Sequence, residues 1–508
     1  MFKRASTLYL FSLIYNFSLL KGKLYYYDEG LILAGAERIT KGQLPYIDFW
    51  SIYPPGQFYT VALFFELFGA SIFVERVYDI IIRSLIPVFI FIIIKNLNFS
   101  KKIAYFCWGM ALIWSSYSGF PAYPVHTALL FIFISILCFL TYLSSKKNLW
   151  LFLAAAFMGL SALFRHDLAA MATAATLTTL FINIKKEKNS FWPPIVYFMG
   201  GYLLVGLPVT VYFVNAIGLQ TFIDYLIILP AEIIPKYRAV PYPSILDFEL
   251  QFFIFPLILL GAFLISLKAI FREKSQKYSS YTVFQLGLMG ILFMNQVRVR
   301  SDNIHLLPVA LVSITTIPAW FSFLKSYQKR LRPTAQKLSA LIYGLVICLV
   351  FIVPIVEKVL SINKDYFKLH ANQTVPAATY ITIPNDLENL AIYLQSITSE
   401  NESIYVGVKN HDQFIANDVI IYFLSNRQYG TRYHELHPGI ANTLAVQQEI
   451  IQEINNVLVR VIVLTSRPSF EDNDSKIDSG VDLLDNYIAI NFELTEQIGE
   501  YEVWIRRQ

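Results

Sequence analysis

Residues 25–59 read YYYDEGLILAGAERITKGQLPYIDFWSIYPPGQFY, and the rest of the chain is best understood from this stretch outward. It follows the first apolar segment directly, and an acidic pair, Asp28 and Glu29, stands close to that segment's end. An amphipathic run follows, then a Pro45-Tyr46 turn, Asp48 and Tyr53-Pro54-Pro55-Gly56. A connector between two helices is normally short. This one is long, aromatic and rich in proline, so it is expected to lie along a membrane surface and shape a site there. Carboxylates at a bilayer edge are costly unless solvated or paired, which marks Asp28 and Glu29 as functional candidates. The competing role for Asp28 is to cap a helix over residues 29–41, as Asp does well.

On either side of the stretch, apolar runs recur. The chain has 508 residues, of which 56% are hydrophobic and 15% charged, with a mean hydropathy of +0.50. That is far from the average soluble protein. Runs near the ~20 residues that cross a bilayer occur at about 5–24, 72–95, 103–120, 124–143, 149–165, 168–184, 192–215, 247–270, 281–297, 305–324 and 338–357. They predict a polytopic α-helical membrane protein with about 11 transmembrane helices. Alternate links are basic: Lys95 with Lys101-Lys102, Lys146-Lys147, Lys185-Lys186 with Lys188, Arg272 to Lys277, and Lys325 to Lys337. Cytoplasmic loops carry such an excess. The N-terminus is therefore expected in the cytoplasm. Residues 25–71, 119–124, the Arg165-His166-Asp167 link, 216–246, 298–304 and everything after 358 are expected outside. The first apolar run is read as a membrane helix, because Lys21 and Lys23 stand where a signal peptide would be cleaved. Residues 57–70 are short for a span and read as an interfacial helix. Residues 218–246, with four prolines, read as a partly mobile lid.

The charge divides with the hydropathy. Residues 1–360 hold 31 Lys/Arg against 16 Asp/Glu, and residues 361–508 hold 10 against 20. A transmembrane domain over 1–360 and an extracytoplasmic α/β domain over 361–508 follow. The basic excess lies in short loops between apolar runs, so it implies no nucleic-acid partner. All three cysteines, Cys107, Cys138 and Cys348, sit in apolar segments, which leaves no disulfide framework in the tail. In the tail, LENLAIYLQSI reads as a helix, 404–408 as a strand, 414–425 as a helix, 428–433 as containing a short strand, VQQEIIQEINN as a helix and 459–465 as a buried strand. IAINFEL and YEVWIR read as closing strands. A separable three-layer domain with a largely parallel sheet is the expectation. No glycine-rich phosphate loop occurs there, so neither a nucleotide nor another organic cofactor is expected.

Two outward links concentrate charge. Arg165-His166-Asp167 stands between two apolar runs with almost no room for a loop, where ionisable groups are costly without partners. Arg can grip a phosphate bidentately. Asp167 can hold that Arg or a metal, and a self-neutralising Arg–Asp turn is the plain alternative. The second constellation is Arg298, Arg300, Asp302 and His305. Its arginines break the positive-inside pattern. If Ser301 caps a helix, Asp302 and His305 share one face and suit a common hydrogen bond or metal. Asp167 and His305 are the candidates for a divalent metal. His126 reads as a packed interfacial residue as readily as a site residue. In residues 431–439, TRYHELHPG, His434 and His437 flank Glu435 with no third ligand evident, which favours a structural loop or a surface docked on the membrane domain.

The order Asp28-Glu29, a helix ending in Gly, Pro45-Tyr46, Asp48-Phe49 and Tyr53-Pro54-Pro55-Gly56 resembles the first outward loop of the GT-C class of membrane glycosyltransferases. The nearest groups are the protein O-mannosyltransferases and the bacterial aminoarabinose-to-lipid-A transferases. The Arg165–Asp167 link and the R-x-D-x-x-H element at 300–305 resemble further outward motifs of that class. The resemblance implies a fold of this class in a cytoplasmic (inner) membrane. It implies an inverting transferase moving a sugar from a polyprenyl-phosphate carrier to a lipid, glycan or protein acceptor on the outer face. Asp28 then holds the active-site position as base, with Glu29 and Asp167 as supporting carboxylates. Arg165, His166, Arg298, Arg300, Asp302, His305, Asp48 and Tyr53 line the substrates. A transporter or flippase for lipid-linked saccharides would need mid-membrane charge and broken helices in two repeats, neither of which is evident. A ligase or polymerase using a diphosphate carrier, and a non-catalytic envelope scaffold, complete the alternatives.

Overall fold

The computed structural model describes residues 2–20, 24–188, 190–247, 249–272, 278–328, 374–465, 471 and 473–508. Its first part is a helical bundle: α1 (Phe2–Ser18), α2 (Asp28–Thr40), α3 (Gly56–Phe68), α4 (Ile72–Asn96), α5 (Lys101–Tyr117), α6 (Pro124–Ser145), α7 (Asn148–Ala162), α8 (His166–Glu187) and α9 (Trp192–Ile217). After short helical segments come α10 (Gln251–Arg272), α11 (Tyr278–Val299) and α12 (Asn303–Gln328). The ends follow local chemistry. Ser71 and Ser100 accept from the backbone N–H of Val74 and Ile103 to start α4 and α5. Gly69, at φ 87°, stops α3 in a conformation few other residues adopt.

Ten of the eleven expected spans coincide with helices, and the eleventh, 338–357, lies outside the described residues. Among the described residues only α4, α6, α8, α9, α10 and α12 are long and apolar enough to cross a bilayer. The count of eleven is thus not reached on these criteria. Helices α1, α5 and α7 have 17, 17 and 15 residues, and α11 carries polar side chains such as Gln285 and Gln296. The six apolar helices and the fold make this an integral membrane protein.

The C-terminal region builds a five-stranded sheet from β1 (Ser403–Val408), β2 (Gln428–Tyr429), β3 (Val461–Thr465), β4 (Phe492–Ile498) and β5 (Tyr501–Arg506). The order is β2-β1-β3-β5-β4. Strands alternate their side chains between faces. Ile404, Val406, Val461 and Val463 pack with the helices Asn385–Ile397 and Ile420–Ser425. Tyr405, Ile462 and Leu464 pack with Leu444–Asn456 and Leu483–Asn491. Helices therefore cover both faces, as expected, but the sheet is mixed rather than largely parallel. Strand β1 runs parallel to β2 and β3, while β5 is antiparallel to β3 and β4. The turn at Gly499-Glu500 is too short for a parallel crossover. Residues 488–491 are helical rather than extended, because Leu484 and Ile488, four apart, bury one helix face.

The two regions share one core. A single apolar cluster includes Leu31, Ile32 and Phe65 from the 25–71 stretch and Ile420, Tyr422, Phe423 and Val503 from the tail. A Cβ on Gly30 would stand 2.4 Å from the Ile420 nitrogen. Without one, the Ile420 N–H donates to the Tyr26 carbonyl at 3.0 Å. The Arg38 guanidinium lies over the Phe49 and Tyr429 rings at 5.0 and 4.5 Å and donates to the Thr431 carbonyl. Phe65 stacks on Phe423. Residues 218–246 are mostly helical, with a π-helical stretch over Asp224–Ile233, and pack against the tail through Tyr225, Leu229 and Ile233. The segment expected as a lid is thus a helical strap laid on the tail.

Candidate active site at the helix ends

The site forms where the start of α2, the Tyr53 turn, the starts of α6, α8 and α12, and the strap converge. Asp28 is the first residue of α2 rather than its cap. The position before it is Tyr27, and no side-chain capping bond forms. Among the described residues no donor bonds to the Asp28 carboxylate. Burial raises its pKa, while Arg238, Arg300 and His305 pull the other way and Asp302 adds to the rise. The net is a carboxyl group held above its ordinary range, within electrostatic reach of Arg238, Arg300 and His305.

The other predicted carboxylates are occupied. Glu29 follows Asp28 but turns about 100° around the helix. It is fully buried, bonds Arg76 through both oxygens at 2.7 and 3.0 Å, and accepts from the Tyr25 N–H. It knits α2 to α4 and stands apart from the Asp28 cluster. Asp167 holds Arg165 at 3.0 and 2.8 Å and accepts from Gln296 at 2.5 Å. Asp302, rather than Ser301, caps α12: its Oδ1 accepts from the N–H groups of Ile304 and His305 and lies 2.8 Å from His305 Nδ1. Burial alone would raise Asp302, but the His305 bonds and the Arg300 charge take it down to about 2.

The arginines divide in the same way. Arg300 is enclosed by Asp302 at 2.9 Å, by the carbonyl of Arg238, and by both oxygens of Glu471 from the tail at 2.7 and 2.6 Å. Arg165 pairs with Asp167 and reaches the Tyr123 hydroxyl at 3.5 Å. Arg298 is exposed and bonds Asn295, away from the cluster. Asp48 is also exposed, and its carboxylate closes its own turn on the Leu44 N–H. His166 begins α8 with its Nδ1 buried and unbonded among the described residues. Tyr53 joins the two halves. Burial raises its hydroxyl well above the usual range, Tyr123, Asp28 and Glu435 add to the rise, and Arg165 opposes it, so all four lie within electrostatic reach.

Arg238, on the strap, did not stand out in the sequence. Its guanidinium lies 5.8 Å from the Tyr27 ring and donates through Nη1 to the Ile415 carbonyl. Among the described residues no acceptor engages its Nε or Nη2. It is the cation here best able to take an anionic ligand, and only its position between Pro235 and Pro241 in an outward link hinted at that. The histidines of 431–439 are structural, as expected: His434 packs between Phe49 and Tyr429, and His437 against Trp50. His126 packs edge-on to Tyr123. Among the described residues no three His, Cys, Asp or Glu side chains gather as metal ligands. Asp167 is engaged by Arg165 and Gln296, and His305 Nδ1 by Asp302.

The arrangement of the helices and the C-terminal sheet gives the chain the fold of the GT-C membrane glycosyltransferases. Residues 53–227 match the family described as dolichyl-phosphate-mannose-protein mannosyltransferase. That span includes Tyr53 and Arg165–Asp167 but not Asp28. Among solved structures, the chain is similar to crystal structures of ArnT from Cupriavidus metallidurans, one bound to undecaprenyl phosphate and one in the apo state. The TM-scores are 0.52 and 0.51 at 12% identity, and each alignment covers 98% of this chain and 97% of that one. No curated protein matches significantly.

Proposed function

We propose that the chain is a glycosyltransferase that moves one sugar from a polyprenyl-phosphate carrier to an acceptor hydroxyl at the outer edge of the membrane. The observation that carries this is the contrast among carboxylates. Asp167 and Asp302 are each held by an arginine and further donors. Asp28 meets cationic side chains with no donor among the described residues and with its pKa raised. A raised, unbonded carboxylate is suited to accept a proton. The similarity to a structure with undecaprenyl phosphate bound supports the carrier class.

Asp28 takes the proton from the acceptor hydroxyl as that oxygen attacks the anomeric carbon. The bond from that carbon to the carrier's phosphate oxygen breaks, and the phosphate leaves with the electron pair. A single displacement of this kind inverts the anomer. Arg238 meets the charge gathering on the phosphate. Arg300, gripped by Asp302 and Glu471, contributes through its field and by fixing Arg238 through the carbonyl bond. A lipid-linked donor arrives laterally, which favours a site at the helix ends. The placement of these charges at helix ends rather than in mid-membrane supports an enzyme over a flippase. The test is transfer by purified protein in nanodiscs from a synthetic polyprenyl-phosphate sugar, alongside mass spectrometry of envelope glycans with and without the protein. Absence of turnover with both mono- and diphosphate carriers would overturn the reading.

A further inference from the structure

We propose that Glu435, carried by the C-terminal domain, is a positioning residue for the Asp28 base. This rests on the transferase reading above. Glu435 is fully buried in the loop after β2. Its Oε1 accepts from the Tyr27 hydroxyl at 2.8 Å, and its Oε2 accepts from the Ile52 backbone N–H at 3.4 Å. Tyr27 directly precedes Asp28, and Ile52 directly precedes Tyr53. One carboxyl group from more than 380 residues away therefore ties together the two segments that present the base and its neighbouring hydroxyl.

The carboxylate is itself aimed. Asn417, fully buried, donates to the carbonyls of Val406 in β1 and of His434, and accepts from the Leu436 N–H at 3.0 Å. Both chain neighbours of Glu435 are thus tied to the core sheet. The Trp50 N–H donates to the Arg432 carbonyl, fixing the loop on the 25–59 stretch from the other side. A rigid path runs from β1 through Asn417 and Glu435 to Tyr27 and Ile52, and from there to Asp28 and Tyr53. Arg238 is held by the same domain, through Ile415. Burial pushes the Glu435 carboxyl up to about 8, so near neutral pH it holds these partners largely as a neutral carboxyl group. A 1 Å displacement of a reacting group can cost about 10²-fold in rate. The soluble domain thereby sets the geometry of a base it does not contain.

Glutamine at 435 keeps the size but has a single acceptor atom. Its NH2 can still donate to the Tyr27 oxygen while that acceptor atom takes the Ile52 N–H, so glutamine can keep both ties, whereas leucine, of similar size, makes neither. Glu435→Leu should lower kcat about 10-fold, with KM for donor and acceptor within about two-fold of wild type, on protein shown to be folded by its melting transition. Tyr27→Phe removes the same bond from the other side and should give a similar kcat loss. The double variant should lose little more than either alone. A purely structural role would lower the yield of folded protein and leave kcat per folded molecule intact. A folded Glu435→Leu enzyme with kcat within two-fold of wild type, in an assay where Asp28→Asn is inactive, would overturn this role and leave the transferase reading standing. A wild-type protein with no turnover would remove both.

Discussion

Asp28→Asn tests the chemistry and the fold in opposite directions. Asn matches Asp in size but cannot accept a proton at neutral pH. General-base help is worth about 10²–10⁴-fold, or roughly 2.7–5.4 kcal/mol of barrier at about 1.36 kcal/mol per decade. The stability effect has the other sign. Burial raises the native pKa of Asp28 from the model-peptide value of 3.8 despite Arg238, Arg300 and His305. The native state therefore holds this proton more tightly than the unfolded chain does. Stability falls as pH rises from about 3.8 towards the raised native value, and the deficit persists at neutral pH. Asn carries no such deficit, and Asp28 makes no capping bond that would be lost. The variant should thus melt at or above the wild-type temperature at pH 7, converge with it in acid, and lose transfer. Wild-type single-turnover rates should rise with pH through the raised pKa, and that limb should be missing from the residual rate of the variant. Asp28→Glu should retain little, because an added methylene shifts the carboxylate by about 1 Å. The assay is single-turnover transfer from a polyprenyl-phosphate sugar in nanodiscs, paired with thermal melting. Transfer by Asp28→Asn at more than about a tenth of the wild-type rate would remove Asp28 from the mechanism.

Arg238→Ala should weaken binding of the carrier phosphate by about 1.5–3 kcal/mol per charge-assisted bond lost, with Lys restoring only part because it lacks the planar fork; unchanged binding of undecaprenyl phosphate by calorimetry would make Arg238 structural. The C-terminal region expressed alone from residue 374 should bind a hydrophobic dye strongly and associate, since Ile420, Tyr422 and Phe423 share a core with Leu31, Ile32 and Phe65; a monodisperse, cooperatively melting fragment would contradict that continuity. Ser479→Cys, at an exposed position, should react with an impermeant maleimide from the outer face, and labelling only after the cytoplasmic side is opened would reverse the proposed orientation.

Hydropathy and basic-loop alternation are local properties, so helix positions were legible from residues 72–328 alone, and an outward-facing tail was inferred from the same pattern. The β1, β3 and β5 segments were legible because apolar residues on both faces of a covered sheet read as continuous runs. Asp28 and the Arg165–Asp167 pair were legible because ionisable groups at the ends of apolar runs are few. Local pattern could not say which of two adjacent carboxylates faces the site. Glu29 turns inward to Arg76 because one residue is about 100° of helix. It could not show that Arg300 is gripped by Glu471, that a helical strap brings Arg238 over Tyr27, or that Glu435 ties Tyr27 to Ile52. Those partners lie tens to hundreds of residues apart and carry no shared periodicity. Only the docking of the sheet domain on the 25–59 stretch brings them together, and burial there decides which charges are paired.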